Sequence, residues 1–116
     1  VVTGDTHTAW ASELNDGQGR VAIELGANSV TSPSDVEYFA AAGIDFSAGV
    51  RARNPHVKWT DAPGRGFVLL TLKKDEAIAE FFTVSTILAK QYETARIAAF
   101  AIAPDDAPGI GPLTPV

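Results

Sequence analysis

The chain has 116 residues and a formal net charge of −5, and 46% of its residues are hydrophobic. This size and composition fit one domain, or one piece of a larger domain, that can bury an apolar core. The acidic balance and the scattered basic residues argue against binding to nucleic acid or to anionic lipid, and without cysteine no disulfide can form. No apolar run is long enough to predict a membrane span.

The first half of the chain is predicted to alternate short strands and turns with one short helix. In chain order we expect the end of a buried strand at 1–3, a turn at 4–5, helical turns at 8–14, a turn at 15–17, a strand at 20–25, an irregular loop at 26–33 and a helix at 35–42. Ser34 is the expected N-cap of that helix. The stretch 43–53 is compatible with helix or loop. Asn54 ends any helix there, because a residue before proline is pushed to extended geometry.

The second half is predicted to consist mostly of antiparallel strands. We expect a strand at 57–60, a turn at 61–64, a strand at 66–72, a connection at 73–76 and further strands at 78–84 and 97–103. The apolar run at 66–72 predicts burial of both its faces. Four of the seven prolines lie in the tail 104–116, which we expect to be a surface strap or a disordered end. The predicted fold class is α+β, with a domain at 1–103 followed by this tail.

Asp5 and His7 form the first pattern with chemical meaning, because they follow a turn glycine and are separated by a single residue. A carboxylate oxygen and an imidazole nitrogen suit iron, zinc or manganese. In a turn or extended backbone both side chains can point to one side, where they either serve one ion each or share one. The alternative is an ordinary turn aspartate beside a surface histidine.

Four segments in the right order, within residues 1–87, together resemble the PhoD-like alkaline phosphatase D family. They are Gly4-Asp5-Thr6-His7-Thr8-Ala9-Trp10, similar to Gly-Asp-x-His-x-x-Trp; Ile23-Glu24-Leu25 with Ser29-Val30-Thr31-Ser32, similar to Val-Glu-Phe and Ser-x-Thr-Ser; Asn54-Pro55-His56-Val57-Lys58-Trp59, similar to Asn-Pro-His-x-Lys-Tyr; and Arg65-Gly66-Phe67-Val68, similar to Arg-Gly-Tyr-Val. The chain departs from this pattern at Trp59 and Phe67, where tyrosines are common in the family.

This resemblance implies a four-layer α/β/β/α metallophosphoesterase sandwich, of which the chain is the C-terminal portion. It implies an exported enzyme, periplasmic or extracellular, that acts as an alkaline phosphatase and phosphodiesterase with iron and calcium. Asp5 and His7 then belong to the last cluster of metal ligands. Because the earlier clusters and any methionine are absent from the sequence, we expect the upstream portion of the same enzyme, or a complementary chain, to supply the other ligands.

His56 is the second site candidate, because Pro55 stiffens the loop that carries it. We expect His56 either to contact the substrate or to support a metal ligand, or else to pack between loop and sheet. A further group of residues is expected either to line the substrate cleft or to serve its own loop and the local packing: Asn28, Ser29, Thr31 and Trp10. Glu24 either supports a ligating histidine or is a solvent-exposed charge on an edge strand. Arg51 and Arg53 either bind phosphate or stay solvated.

Two classes of function follow from these patterns. The first is metal-dependent hydrolysis of phosphate esters, with this chain supplying the last ligand cluster. The second is a non-catalytic β-rich module for binding or for structure, which does not need an aspartate and a histidine at a strand end. Metal content separates the two classes, because a module of this kind should bring no ion.

Overall fold

The computed structural model describes residues 1–40, 42–105 and 109–116 as two four-stranded sheets with two short helices. The strands are β1 (Val2–Thr3), β2 (Ala9–Asn15), β3 (Arg20–Gly26), β4 (Val57–Asp61), β5 (Gly66–Leu72), β6 (Ala77–Val84), β7 (Thr94–Ile102) and β8 (Thr114–Pro115); the helices are α1 (Asp35–Ala40) and α2 (Phe46–Arg53). Sheet A has the order β1-β3-β2-β4 and sheet B the order β5-β6-β7-β8. All strand pairs are antiparallel except β1 with β3.

The core lies between the facing sides of the two sheets. Its buried apolar residues are Ala9, Ala11, Ile23 and Leu25 from sheet A, Ala79, Phe81 and Phe100 from sheet B, and Leu113 from the C-terminal segment. Trp59 of β4 joins the two sheets, because its ring centroid lies 4.7 Å from that of Phe81 and 6.0 Å from that of Phe100. The helix α2 packs against β4. Among the described residues, no helix is both long and apolar enough to cross a membrane.

The helical turns predicted for 8–14 are wrong, because this segment is strand β2. It lies between β3 and β4 and pairs with both, so hydrogen bonds on two sides outweigh the helix preference of its alanine, glutamate and leucine residues. The turn predicted at 15–17 is confirmed: Asp16 Oδ1 accepts the backbone N–H of Gln18 at 2.8 Å, and Gly17 has φ +92°. The strands predicted at 20–25, 57–60, 78–84 and 97–103 are also confirmed, with ends shifted by one to three residues.

Two predictions of burial are wrong. The run at 66–72 is not buried on both faces, because β5 is an edge strand whose Phe67 and Leu69 are 45% and 48% exposed while Val68 and Leu70 pack on the core. Val1 and Val2 are also exposed, because β1 lies at the edge of sheet A. An apolar run therefore identifies these strands without showing which faces are covered.

Ser34 does not cap α1 with its hydroxyl, which instead donates to the carbonyl oxygen of Ala62 at 2.9 Å. Its backbone N–H donates to Glu37 Oε1 at 3.3 Å, a contact typical of a helix start. The helix predicted at 35–42 ends at Ala40, and position 41 lies outside the described residues. The ambiguous stretch 43–53 contains α2, where Asp45 Oδ1 accepts the N–H of Ala48 at 2.9 Å as the N-cap.

The described part of the tail, 104–105 and 109–116, returns along β7. Leu113 is only 9% exposed within the core, and its N–H donates to Glu13 Oε1 at 3.0 Å. Arg20 forms an ion pair with Glu13, with 3.2 Å between Nη2 and Oε2, and its Nη1 donates to the carbonyl oxygen of Ile110 at 3.0 Å. These contacts attach the C-terminal segment to sheet A. Positions 106–108 of the predicted tail lie outside the described residues.

Candidate functional site

The turn between β1 and β2 has an unusual backbone. Asp5 has φ +71° and His7 has φ +57°, and among the described residues these are the only positive φ angles outside glycine. L-residues adopt this left-handed region at a steric cost, and aspartate and histidine are enriched among those that do. Such positions cluster at functional sites, where the surrounding structure holds them. The N–H of Thr6 closes the turn on the carbonyl oxygen of Gly4 at 2.9 Å.

His7 is oriented by a backbone carbonyl. Its Nδ1 lies 2.7 Å from the carbonyl oxygen of Pro33, in the loop between β3 and α1. A carbonyl oxygen can only accept, so Nδ1 carries the proton and donates it, which leaves the Nε2 lone pair of the neutral ring free. Histidines that bind metals characteristically donate their other ring N–H in this way.

A cleft of about 680 Å³ opens on the face of sheet A that points away from the core. Its lining side chains are Thr3, Asp5, Thr6, Trp10, Ser12, Glu24, Val50, Asn54, His56 and Val57. The structure thus brings together four of the residues considered as site candidates: Asp5, Trp10, Glu24 and His56. His7 is not among the described residues that line this cleft, although it belongs to the same turn as Asp5.

Trp10 forms one wall of the cleft and fixes the turn. Its indole N–H donates to Thr6 Oγ1 at 2.7 Å. The ring lies over Gly26, its cross-strand partner, where a Cβ atom would come within 2.6 Å of Trp10 Cδ1 and 3.3 Å of Thr3 Oγ1. The absence of a side chain at position 26 therefore allows the ring to approach β3 closely.

We expect Gly26→Ala to displace the Trp10 ring and break its bond to Thr6. Overpacking of this kind costs about 1–3 kcal/mol of stability, and here the strain falls on the candidate ligand turn. The free energy of unfolding and the metal affinity should both fall. Gly19→Ala is the control, since Gly19 directly precedes β3, has no positive φ and has no neighbouring atom within 4 Å of an added Cβ. Equal stability and metal affinity of Gly26→Ala and the parent would contradict this role.

The cleft carries no fixed positive charge from lysine or arginine among the described residues that line it. Asp5 and Glu24 contribute carboxylates, and His56 is its single basic side chain. A phosphate ester would be repelled from such a surface unless cations were bound there. The charge of the cleft therefore favours a cation over an anion.

Three predicted cleft residues lie elsewhere. Asn28 is buried and donates to the carbonyl oxygen of Gly64 at 3.0 Å, and Ser29 Oγ donates to the carbonyl oxygen of Ser32 at 2.5 Å. Thr31 lines a separate groove beside Phe67. Asn28 and Ser29 thus bond the backbone of the neighbouring turn and of their own loop rather than lining the cleft. Arg51 and Arg53 are exposed on α2 and do not line the described cleft.

Two carboxyl groups with shifted pKa values lie outside the cleft. The side-chain hydrogen bond from Arg65, helped by the N–H of Ser34, lowers the pKa of Glu37. Burial raises the pKa of Asp61, against a hydrogen bond from the N–H of Gly64. These groups join α1 and the end of β4 to the start of β5, so we assign them to the fold.

Sequence reasoning missed Thr3, Ser12 and Asn54 as cleft residues. The signal for Ser12 was the alternation of Trp10 and Ser12 on one side of a strand, which the helical reading of 8–14 concealed. Ser12 pairs with Glu24 across the sheet, so a strand at this position would have placed both on the floor of one site. Glu24 is on an inner strand, and its contact is with Thr3 rather than with a histidine.

These features define a layered α+β chain that carries a candidate metal-ligand turn beside a polar cleft. The family model of PhoD-like phosphatases matches residues 1–81, and the chain therefore belongs to that family. The predicted resemblance is confirmed by this match.

A solved structure of PhoD has the same fold, with a TM-score of 0.69 and 22% sequence identity. The match covers 96% of this chain and 21% of the PhoD chain, so this chain spans about a fifth of the length of that structure. It confirms the predicted α+β portion of a PhoD-like fold. The comparison with curated proteins found no match.

Proposed function

We propose that this chain supplies Asp5 and His7 as metal ligands to an enzyme that hydrolyses phosphate esters, as an alkaline phosphatase and phosphodiesterase. The observation that carries the proposal is the pair of left-handed residues, since the two side chains with ligand chemistry are also the two strained positions. The family membership and the carbonyl-oriented ring of His7 support it.

The remaining metal ligands must come from outside the described residues, among which no three His, Cys, Asp or Glu side chains form a metal-binding group. Two donors are too few for two ions, because each ion takes about four or more. We propose that the upstream portion of the same enzyme, or a complementary chain, completes the site. The length of the PhoD structure that this chain does not cover is sufficient to supply it.

Iron and calcium are the proposed metals, as the resemblance to the PhoD-like family implies. The carboxylate of Asp5 is compatible with both ions and the imidazole of His7 with iron. When bound, such ions supply positive charge that neutralises the charge developing on phosphate oxygens. The chain's own residues hold the ligands in place: Pro33 orients His7, and Trp10 fixes the turn through Thr6.

The cleft is the proposed substrate channel. Asn54 and His56 line it together with Asp5 and Trp10. Asn54 Nδ2 donates one of its two hydrogens to the carbonyl oxygen of Val50 at 3.0 Å. His56 is the proposed donor to substrate. The protein is proposed to act in the periplasm or outside the cell, a location that fractionation of expressing cells would test.

Hydrolysis of p-nitrophenyl phosphate and bis-p-nitrophenyl phosphate by the intact enzyme tests the proposed activity directly. We expect turnover that a chelator abolishes and that added metal restores. The same preparation separates the enzyme from a non-catalytic β-rich module. A protein that brings no metal and hydrolyses neither ester would show that the module is the correct description.

His56→Ala should reduce turnover more than it reduces metal content. A hydrogen bond to a charged group is worth about 1.5–3 kcal/mol, so a substrate contact from His56 corresponds to a loss of about 10-fold to 100-fold. Arg53→Ala is the control, because Arg53 is an exposed neighbour outside the cleft lining. Unchanged turnover in His56→Ala would assign this histidine to packing.

A further inference from the structure

Glu24 holds the residue that leads into the candidate ligand turn. Thr3, the last residue of β1, donates its Oγ1 hydrogen to Glu24 Oε1 at 3.1 Å. The carbonyl oxygen of Thr3 also accepts the N–H of Ala27 at 2.9 Å. Asp5 follows Thr3 by two residues, so these bonds fix the start of the turn just as the Trp10–Thr6 bond fixes its end.

The strand β1 is joined to β3 by backbone bonds as well as by this side-chain bond. Val2 and Thr3 pair in parallel with Leu25 and Gly26, and the carbonyl oxygen of Val1 accepts the N–H of Leu25 at 2.9 Å. The Thr3–Glu24 bond adds a side-chain contact at the residue that leads into the turn.

The carboxylate of Glu24 is half-buried on the floor of the cleft, and within the described part of the chain no lysine or arginine pairs with it. Partial burial of a charge without a countercharge is unfavourable, and the bond from Thr3 offsets part of that cost. The partial burial of the Glu24 charge thus lowers stability, and it places the carboxylate where it accepts the hydrogen bond from Thr3.

We propose that Glu24 is a positioning residue for the metal site and acts through Thr3 to hold the Asp5 turn in its left-handed form. The inference rests on the proposed metal-binding role of Asp5 and His7. Loss of the Thr3–Glu24 bond leaves the backbone pairing of β1 in place but loosens Thr3, so that Asp5 leaves its strained geometry more readily. Residues that orient metal ligands typically contribute about 10-fold to 100-fold in metal affinity, and we expect a loss within that range.

Three variants of the intact protein that carries this chain separate the routes by which Glu24 could act. Thr3→Val removes the hydroxyl and keeps the side-chain shape, and Glu24→Ala removes the acceptor. Glu24→Gln keeps an oxygen that can accept from Thr3 but loses the charge. Thr71→Val, on the exposed outer side of β5, is the matched control for a threonine-to-valine change on a strand. Hydrogen–deuterium exchange of the metal-free protein over 3–8 and the affinity for iron and for calcium are the two readouts.

Thr3→Val and Glu24→Ala should both speed exchange over 3–8 and weaken metal binding. Thr71→Val should stay near the parent in both readouts, and Glu24→Gln should stay near the parent in exchange. Parent-like exchange in both Thr3→Val and Glu24→Ala would overturn the proposal. A second result would also overturn it: parent-like exchange in Thr3→Val together with faster exchange in Glu24→Gln. The charge of Glu24 would then act on the turn without Thr3. If the parent binds no metal, the proposed function fails, while the exchange comparison still decides whether Glu24 holds the turn.

Discussion

Asp5→Asn and His7→Asn are each expected to remove metal and activity from the intact enzyme while the fold remains. The loss of metal affinity should exceed the 10-fold to 100-fold change typical of residues behind the ligands, so we expect more than about 100-fold. Asparagine tolerates left-handed backbone, so either variant keeps the turn accessible and changes mainly the donor atom. Because Asp5 is exposed and His7 is half-buried, the free energy of unfolding of the metal-free protein should change by less than about 1 kcal/mol.

Elemental analysis, turnover and thermal melting of the metal-free protein check this expectation together. Asp75→Asn is the control, because Asp75 is an exposed aspartate in the connection between β5 and β6. The variants at positions 5 and 7 should lose metal and turnover, and the control should lose neither. Metal content equal to that of the parent in both site variants would refute the ligand assignment.

Phe81→Ala is expected to cause the largest loss of stability. The Phe81 side chain is 1% exposed at the centre of the core, with its ring centroid 4.7 Å from that of Trp59 in sheet A. Removal of a buried phenylalanine leaves a cavity and costs about 3–5 kcal/mol. That is a large part of the stability of an ordinary domain. Urea unfolding followed by circular dichroism measures the change.

Phe82→Ala is the matched control for the sandwich arrangement. Phe82 is the next residue on β6 but points to the outer face of sheet B, where it stacks on Phe67 with a centroid distance of 5.0 Å. The outer face is partly exposed, so we expect a loss well below that of Phe81→Ala. Equal losses for the two variants would contradict the assignment of the core to one face of sheet B.

The hydrophobic pattern was sufficient to predict most strands in this chain, because Ile23 and Leu25 alternate with smaller or polar residues and turn signals flank the runs. The pattern failed at β2. The segment containing Trp10, Ser12 and Glu13 has residues that favour helices, and its strand state depends on partners up to about 50 positions away in the sequence. Long-range pairing of this kind is not visible in a local window.

The candidate site was predictable to the extent that its residues belong to one local pattern. Asp5 and Trp10 are within a single short segment, and the structure places both on the cleft. Glu24 and Ser12 face the same cleft only because β2 and β3 pair in one register. Asn28 and Ser29 were polar loop residues of suitable chemistry, but their orientation depends on the turn at Gly64 and on the loop's own carbonyl groups.

The degree of burial was also beyond the sequence. Leu69 and Leu70 are neighbouring leucines of the same apolar run on an edge strand, yet Leu70 packs on the core and Leu69 is exposed. Likewise, the buried Glu13 is explained by the N–H of Leu113, which lies 100 residues away along the chain. Such contacts form only when the two sheets are assembled. Neither the charge of Glu13 nor the proline-rich composition of the tail therefore predicted them.

A crystal structure of the intact enzyme with anomalous scattering data collected at the iron edge tests the central claim most directly. We expect metal density next to the turn between β1 and β2, with an ion within about 2.0–2.6 Å of Asp5 Oδ or of His7 Nε2. The Nδ1 of His7 should still donate to Pro33, as it does here at 2.7 Å. Ordered metal elsewhere, with neither Asp5 nor His7 coordinated to an ion, would contradict the account.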